Sequence, residues 1–143
     1  MLDGGAGNDR IDGGPGPAVL NGGTGNDRVI GGEGVDTLLG DEGNDRVQSG
    51  AGPDVVVGGG GNDRLVGGSG NDILDAKEGD RDGGERDVLK CGSGRDEAYV
   101  DRDGKDKADR ACEDVRDRRP EAAAARTLPE PARSEPLPGR LQP

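Results

Sequence analysis

Aliphatic residues recur at every ninth position through the first half of the chain. When nonamers are counted from Gly4, place eight is aliphatic in eight successive copies: Ile11, Leu20, Val29, Leu38, Val47, Val56, Leu65 and Leu74. The flanking places seven and nine are frequently polar or β-branched, an alternation typical of a short strand with one side chain facing inward. The pattern predicts one strand per nonamer, at places seven to nine.

Glycine dominates the other places of the repeat. Place four is Gly in all eight nonamers, and place six is Asp in seven of them, the exception being Ala18. Glycine accepts a positive φ, so the first six places are predicted to form a tight turn. Two nonamers then make one 18-residue coil. The prediction is an all-β fold, a parallel β-roll (β-solenoid) of nonapeptide repeats whose two parallel sheets enclose the place-eight side chains.

Composition leaves this fold with a thin core. The 143 residues include 30 Gly and 9 Pro but no Phe or Trp, and only 28% are hydrophobic. Such a composition alone would indicate disorder, whereas a strict repeat indicates stacked units. Burying one Val or Leu contributes roughly 1.5–3 kcal/mol, yet ordering each residue of the nonamer costs on the order of 1–2 kcal/mol. Something besides apolar burial must therefore hold the coils together.

The charge of the chain suggests what that is. The net charge is −11, and residues 1–75 carry eleven Asp and two Glu against four Arg. This balance favours cations as partners and disfavours nucleic acid and anionic membranes. No apolar run is long enough to span a membrane, and no signal peptide is visible at the N-terminus.

The nonamers GGTGNDRVI, GGGGNDRLV and GGSGNDILD resemble the repeat of RTX, or hemolysin-type, calcium-binding proteins, G-G-x-G-x-D-x-U-x with U aliphatic. The resemblance extends over residues 4–75. It implies Ca²⁺ held between turns stacked on the same edge of the roll, a cation that takes six to eight hard oxygen ligands. The side-chain ligands implied are Asp9, Asp27, Asp36, Asp45, Asp54, Asp63 and Asp72. The backbone carbonyls implied are those of Gly4, Ala6, Gly22, Thr24, Gly31, Glu33, Gly40, Glu42, Gly58 and Gly60.

Alternate nonamers fall on opposite edges of an 18-residue coil. One edge then carries Asp9, Asp27, Asp45 and Asp63, with three gaps between aspartates, and the other carries Ala18, Asp36, Asp54 and Asp72, with two. We therefore expect about five well-formed Ca²⁺ sites. The alternative is a roll closed by its glycine turns alone, with the aspartates acting only as turn caps.

Beyond Asp75 the register slips and the repeat weakens. Two further nonamers place Asp87 and Asp96 at place six, as weaker candidate ligands. We predict a calcium-binding roll at 1–75, degenerate repeats and a disulfide-linked cap at 76–117, and a disordered Pro/Ala-rich tail at 118–143.

The two cysteines lie in the predicted cap. The segment around Cys91 and Cys112 resembles the C-terminal end of actinobacterial hemolysin-type repeat proteins, which implies a disulfide between the two. A disulfide implies an oxidising, extracellular location. Two free thiols in a cytosolic protein are the alternative.

The coil also predicts two different outer faces. One sheet would present Arg10, Arg28, Arg46 and Arg64, and the other an apolar strip of Val19, Leu39, Val55, Val57 and Ile73. An exposed apolar strip is typical of a docking surface, here for a partner, a parent domain or the chain's own C-terminal segment. Simple β-propensity on a solvated sheet is the alternative.

Candidate catalytic residues are scarce. The chain has no His, so it lacks Ser-His and Cys-His arrangements, and its carboxylates lie on the nine-residue period of the turns. We expect no enzyme, but a secreted module that binds calcium and folds on binding it. The alternatives are the C-terminal module of a larger secreted hydrolase or toxin, and an extracellular adhesive or surface-binding protein.

Overall fold

The computed structural model describes residues 1–76, 86–100 and 105–117. These residues form thirteen β-strands and no helix. The strands are β1 (Leu2–Asp3), β2 (Arg10–Pro15), β3 (Val19–Thr24), β4 (Arg28–Glu33), β5 (Thr37–Glu42), β6 (Arg46–Ala51), β7 (Val55–Gly60), β8 (Arg64–Ser69), β9 (Ile73–Asp75), β10 (Val88–Ser93), β11 (Glu97–Val100), β12 (Lys107–Ala108) and β13 (Asp114–Asp117).

Successive strands alternate between two parallel sheets. The odd-numbered strands form a seven-stranded sheet in the order β1-β3-β5-β7-β9-β11-β13, and the even-numbered strands form a six-stranded sheet from β2 to β12. Within the roll each strand pairs with the strand 18 residues later, so that Leu20 lies opposite Leu38 and Val29 lies opposite Val47. The predicted parallel β-solenoid with an 18-residue coil is confirmed.

The place-eight residues form the core between the sheets, as the periodicity predicts. Ile11 is 7% exposed, and each of the other seven is 1% exposed or less. Leu89 and Ala98 extend the same stack into the C-terminal coils, where both are fully buried. This single file of aliphatic side chains is the whole apolar interior over most of the roll.

The strands are longer than the sequence predicts. A complete strand spans six residues, from place seven of one nonamer to place three of the next, rather than three. The chain keeps its parallel pairing through the first glycines because place two adopts a positive φ, between 77° and 120°, in every coil where it is described. Asp41 is the one non-glycine residue to do so, at 80°. The turn proper is therefore only places four to six.

The C-terminal strands continue both sheets after the register slip. Val88 lies opposite Arg64 and Leu89 opposite Leu65, so a separation of 24 residues replaces 18 at this one step. The inserted residues fall within 77–85, outside the described residues, as does the predicted disordered tail at 118–143. Cys91 and Cys112 form the predicted disulfide, with an S–S distance of 2.01 Å, which ties β10 to the segment before β13.

Candidate metal centres

The place-six aspartates stack into two columns, one on each edge of the roll. In each column the backbone N–H of one aspartate donates to Oδ1 of the aspartate in the following coil, for example from Asp27 to Asp45 at 2.7 Å and from Asp36 to Asp54 at 2.8 Å. The first column contains Asp9, Asp27, Asp45, Asp63 and Asp87, and the second contains Asp36, Asp54, Asp72 and Asp96. The structure thus brings each predicted side-chain ligand beside its predicted neighbour.

The second carboxylate oxygen has a different environment. Oδ2 is buried and has no hydrogen-bond partner in seven of these residues: Asp9, Asp27, Asp36, Asp45, Asp54, Asp72 and Asp96. A buried anionic oxygen without a partner is strongly unfavourable, because it has lost its hydration and gained nothing in exchange. A row of such oxygens fits a bound cation.

Backbone carbonyls of place one lie beside these oxygens. A Cβ atom added to Gly40 would lie 2.6 Å from Asp45 Oδ2 and 2.5 Å from the carbonyl oxygen of Gly58 in the next coil. At Gly22 the same atom would lie 2.7 Å from Asp27 Oδ2 and 2.6 Å from the carbonyl oxygen of Gly40. A carboxylate oxygen and a carbonyl oxygen therefore converge where a side chain would otherwise project. Place one must be small to leave these two hard oxygens room for a shared ligand.

The predicted place-three carbonyls have a second role. The carbonyl oxygens of Thr24, Glu33, Glu42 and Gly60 each accept the backbone N–H of the place-four glycine in the preceding coil, at 2.7–2.9 Å. Ala6 stands at the same place in the first coil, where it forms an isolated bridge with Thr24. A carbonyl oxygen has two lone pairs, so ligation by these four would use the remaining one.

Burial and mutual repulsion alter the titration of the columns. Burial is the main cause that raises the pKa of Asp45 from 3.8 to about 6, and the Asp27 carboxylate raises it further, while the hydrogen bond from the Asp27 N–H lowers it. Asp72 shows the same pattern, with a pKa of about 6, and the pKa of Asp36 is also raised. A cation between neighbouring carboxylates would remove the cost that these shifts express.

Two coils depart from the pattern on the second edge. Ala18 supplies no carboxylate, although its N–H still donates to Asp36 Oδ1 at 2.8 Å. Ser49 replaces the place-one glycine beside Asp54, and its buried hydroxyl donates to the carbonyl oxygen of Gly67 at 2.6 Å. The gap between Asp54 and Asp72 therefore contains a hydroxyl group where Gly31 or Gly40 leaves open space.

The structure adds one column residue that sequence reasoning missed. Asp106 Oδ1 accepts the N–H of Asp87 at 3.0 Å, so the first column continues one coil further than predicted. The available signal was the triplet Asp106-Lys107-Ala108, which repeats the Asp-x-aliphatic spacing of the nonamer after its glycines have disappeared.

Comparison with known families agrees with this geometry. The model of the RTX calcium-binding nonapeptide repeat matches the chain in four copies, at residues 1–20, 14–47, 39–74 and 48–81, which together cover more than half of it. The chain belongs to this family. RTX repeats bind calcium, so this β-roll is a calcium-binding fold. No curated protein and no solved structure matches the chain.

Two other features of the RTX chain bear on function. Within residues 1–76, 86–100 and 105–117 there is no helix with the length and hydrophobicity to span a membrane. Cys91, Asp109 and Cys112 also cluster, but both sulfur atoms belong to the disulfide and are not thiolate ligands.

Proposed function

We propose that this chain is a secreted module whose roll folds when Ca²⁺ binds between its stacked coils, with the place-six aspartates and place-one carbonyls as ligands. The observation that carries the proposal is the set of buried Oδ2 atoms without hydrogen-bond partners, each beside a carbonyl oxygen of the next coil. Carboxylate and carbonyl oxygens are the ligands that Ca²⁺ prefers. The place-three carbonyls are secondary ligands.

The columns offer more gaps than the regular repeats alone. The first column has four gaps between successive aspartates from Asp9 to Asp87, and the second has three from Asp36 to Asp96. We therefore propose seven Ca²⁺ sites rather than about five. The two added sites use Asp87 and Asp96, which are fully buried and continue the same hydrogen-bonded columns.

Folding on binding follows from the energetics of the roll. Its interior is one aliphatic side chain deep, and its columns bring buried carboxylates together along both edges. Ca²⁺ binds the folded roll in preference to the open chain, so its binding free energy becomes folding free energy. The disulfide between Cys91 and Cys112 is consistent with an extracellular location, where both oxidising conditions and calcium are present.

Calcium titration of the full chain tests this function. Circular dichroism should show β-structure appearing as Ca²⁺ is added to the metal-free protein, and calorimetry should count about seven ions per chain. Mg²⁺ at the same concentration is the control, because it demands a smaller octahedral site and dehydrates reluctantly. A chain with the same β-structure and protease resistance after complete chelation would contradict the proposal.

The outer face of the seven-stranded sheet supports a second candidate, a module attached to a larger secreted hydrolase or toxin. Val19, Val55 and Ile73 are 42%, 38% and 39% exposed on that face, and Leu39 and Val57 are half-buried beside them. An exposed strip of this kind fits a covering domain. An apolar dye should bind the calcium-loaded monomer, and Val55→Ser with Ile73→Ser should abolish that binding; an unchanged dye signal would reject the strip as the docking face.

A further inference from the structure

Four arginines form a row across the outer face of the six-stranded sheet. Arg10 lies directly opposite Arg28, Arg28 opposite Arg46, and Arg46 opposite Arg64, on the adjacent strands β2, β4, β6 and β8. All four are exposed. Because neighbouring strands lie about 4.8 Å apart, the row repeats a guanidinium group at that interval. We name these four residues the arginine ladder.

The ladder has no acidic partner in the described part of the chain. None of its four side chains forms an ion pair or a hydrogen bond with another described residue. Like charges directly opposite each other on a sheet are destabilising. The chain nevertheless keeps four of them unpaired, although it contains 30 acidic residues. An arrangement that costs stability and leaves its charges unused indicates an external anion.

The surface between the arginines is shaped to receive a ligand. Arg28, Arg46 and Arg64 line a shallow depression of about 290 Å³. Its floor is formed by the place-nine residues of the same strands, Ile30, Gln48 and Val66. These side chains combine apolar surface with one amide and carry no negative charge. The depression therefore suits a flat ligand with an apolar face and anionic edges.

We propose that the arginine ladder binds an extended acidic polysaccharide that carries one carboxylate on each sugar ring. A β-linked pyranose ring advances its chain by close to one strand-to-strand step, about 4.8 Å. Such a polymer laid across the strands presents one carboxylate per arginine. Successive carboxylates leave alternate edges of the ribbon, and the long arginine side chains reach either edge. Guanidinium groups bind carboxylates through paired, charge-assisted hydrogen bonds, and the ring faces cover the apolar floor.

Other linear anions fit the spacing less well. An extended acidic peptide presents same-side carboxylates every second residue, about 6.6–6.8 Å apart, and falls out of step with the ladder within two arginines. Phosphates of duplex DNA follow a helical path with a rise of about 3.4 Å per residue on each strand. Both remain as competitors in the test.

The experiment measures binding of the full, calcium-loaded chain to a fluorescent β-1,4-linked glucuronate hexamer. Cellohexaose is the neutral control with the same linkage and length. Arg28→Gln combined with Arg46→Gln should weaken glucuronate binding at least tenfold. The matched control is Arg86→Gln combined with Arg95→Gln, which removes the same charge from exposed turn positions that meet the columns only through their backbone N–H groups. The control should change affinity less than twofold.

Circular dichroism in the same buffer separates binding from folding, since both double variants should fold at the calcium concentration that the unaltered chain requires. Saturable binding of the glucuronate hexamer but not of cellohexaose, lost only in the ladder variant, establishes the proposal. Four results would overturn it: no saturable binding by the folded chain at millimolar glucuronate, equal binding of cellohexaose, equal losses in the two double variants, or equally tight binding of a thymidine or glutamate hexamer.

Discussion

Replacing Asp45 by Asn should separate the two functions of a column carboxylate. Asn keeps an oxygen that can accept the N–H of Asp27, which Asp45 Oδ1 accepts at 2.7 Å. It replaces the second oxygen, which lies near Gly40 and the Gly58 carbonyl, by an amide that cannot ligate Ca²⁺. The substitution therefore preserves the stacking hydrogen bond and damages the metal site.

The size of the effect follows from the number of gaps each aspartate borders. Asp45 lies between Asp27 and Asp63, whereas Asp9 begins its column and borders only the gap to Asp27. If loss of one carboxylate weakens a gap about tenfold, each gap costs about 1.4 kcal/mol of unfolding free energy at saturating Ca²⁺. Asp45→Asn should then cost about 2.8 kcal/mol and Asp9→Asn about 1.4 kcal/mol.

Urea denaturation in millimolar Ca²⁺ measures these free energies, and calcium titration followed by circular dichroism measures the accompanying shift in the folding midpoint. Glu42→Gln is the matched control, because it removes one charge from an exposed side chain of the neighbouring coil without altering either column. It should change stability by less than about 0.5 kcal/mol. Equal losses for Asp45→Asn and Asp9→Asn, or a comparable loss for the control, would refute the assignment of the gaps.

Three further outcomes are expected. In metal-free solution β-structure should increase as the pH falls from 7 to 4, because the raised pKa of Asp45, about 6 against 3.8, gives stability that is present below the unfolded value and lost as the pH rises through about 6; in millimolar Ca²⁺ this dependence should reverse, and circular dichroism that shows the same sign in both would contradict it. Asp41→Gly should stabilise the calcium-loaded roll by about 1 kcal/mol in urea denaturation, because Asp41 holds a φ of 80°, and a loss of stability would show that its side chain does more than occupy the turn. Replacing Cys91 and Cys112 by Ser should cost about 3 kcal/mol and speed hydrogen exchange in β12 and β13, whereas unchanged exchange would mean that the cap holds without the disulfide.

The fold could be predicted from sequence because one residue class fixes each structural requirement. The aliphatic place eight fixes which side chain faces inward, and 18 residues bring Leu20 opposite Leu38 and Val29 opposite Val47. Strand length could not be predicted in the same way. Glycine is normally unfavourable in strands, yet here the positive φ of place two lets pairing continue to place three.

The candidate site could be predicted only as far as the repeat is regular. The edge on which each aspartate lies follows from counting nonamers, whereas the division of labour between Oδ1 and Oδ2 depends on atomic packing that no pattern reports. Asp106 was missed because its coil retains the Asp-x-aliphatic triplet without the preceding glycines. The hydroxyl of Ser49 is equally local, since its contact with the Gly67 carbonyl exists only in the folded stack.

The column geometry explains why one residue type can make the whole roll dependent on calcium. Each aspartate commits Oδ1 to the N–H of the preceding coil, and this bond holds the carboxylate in a buried position. The same bond fixes Oδ2 beside a carbonyl oxygen, where neither water nor a protein donor satisfies it in residues such as Asp27, Asp45 and Asp54. Stacking without a cation therefore creates the electrostatic cost that a cation removes. A longer roll gains one aliphatic contact per half-coil but also one more buried carboxylate, so extra repeats cannot by themselves free the fold from calcium.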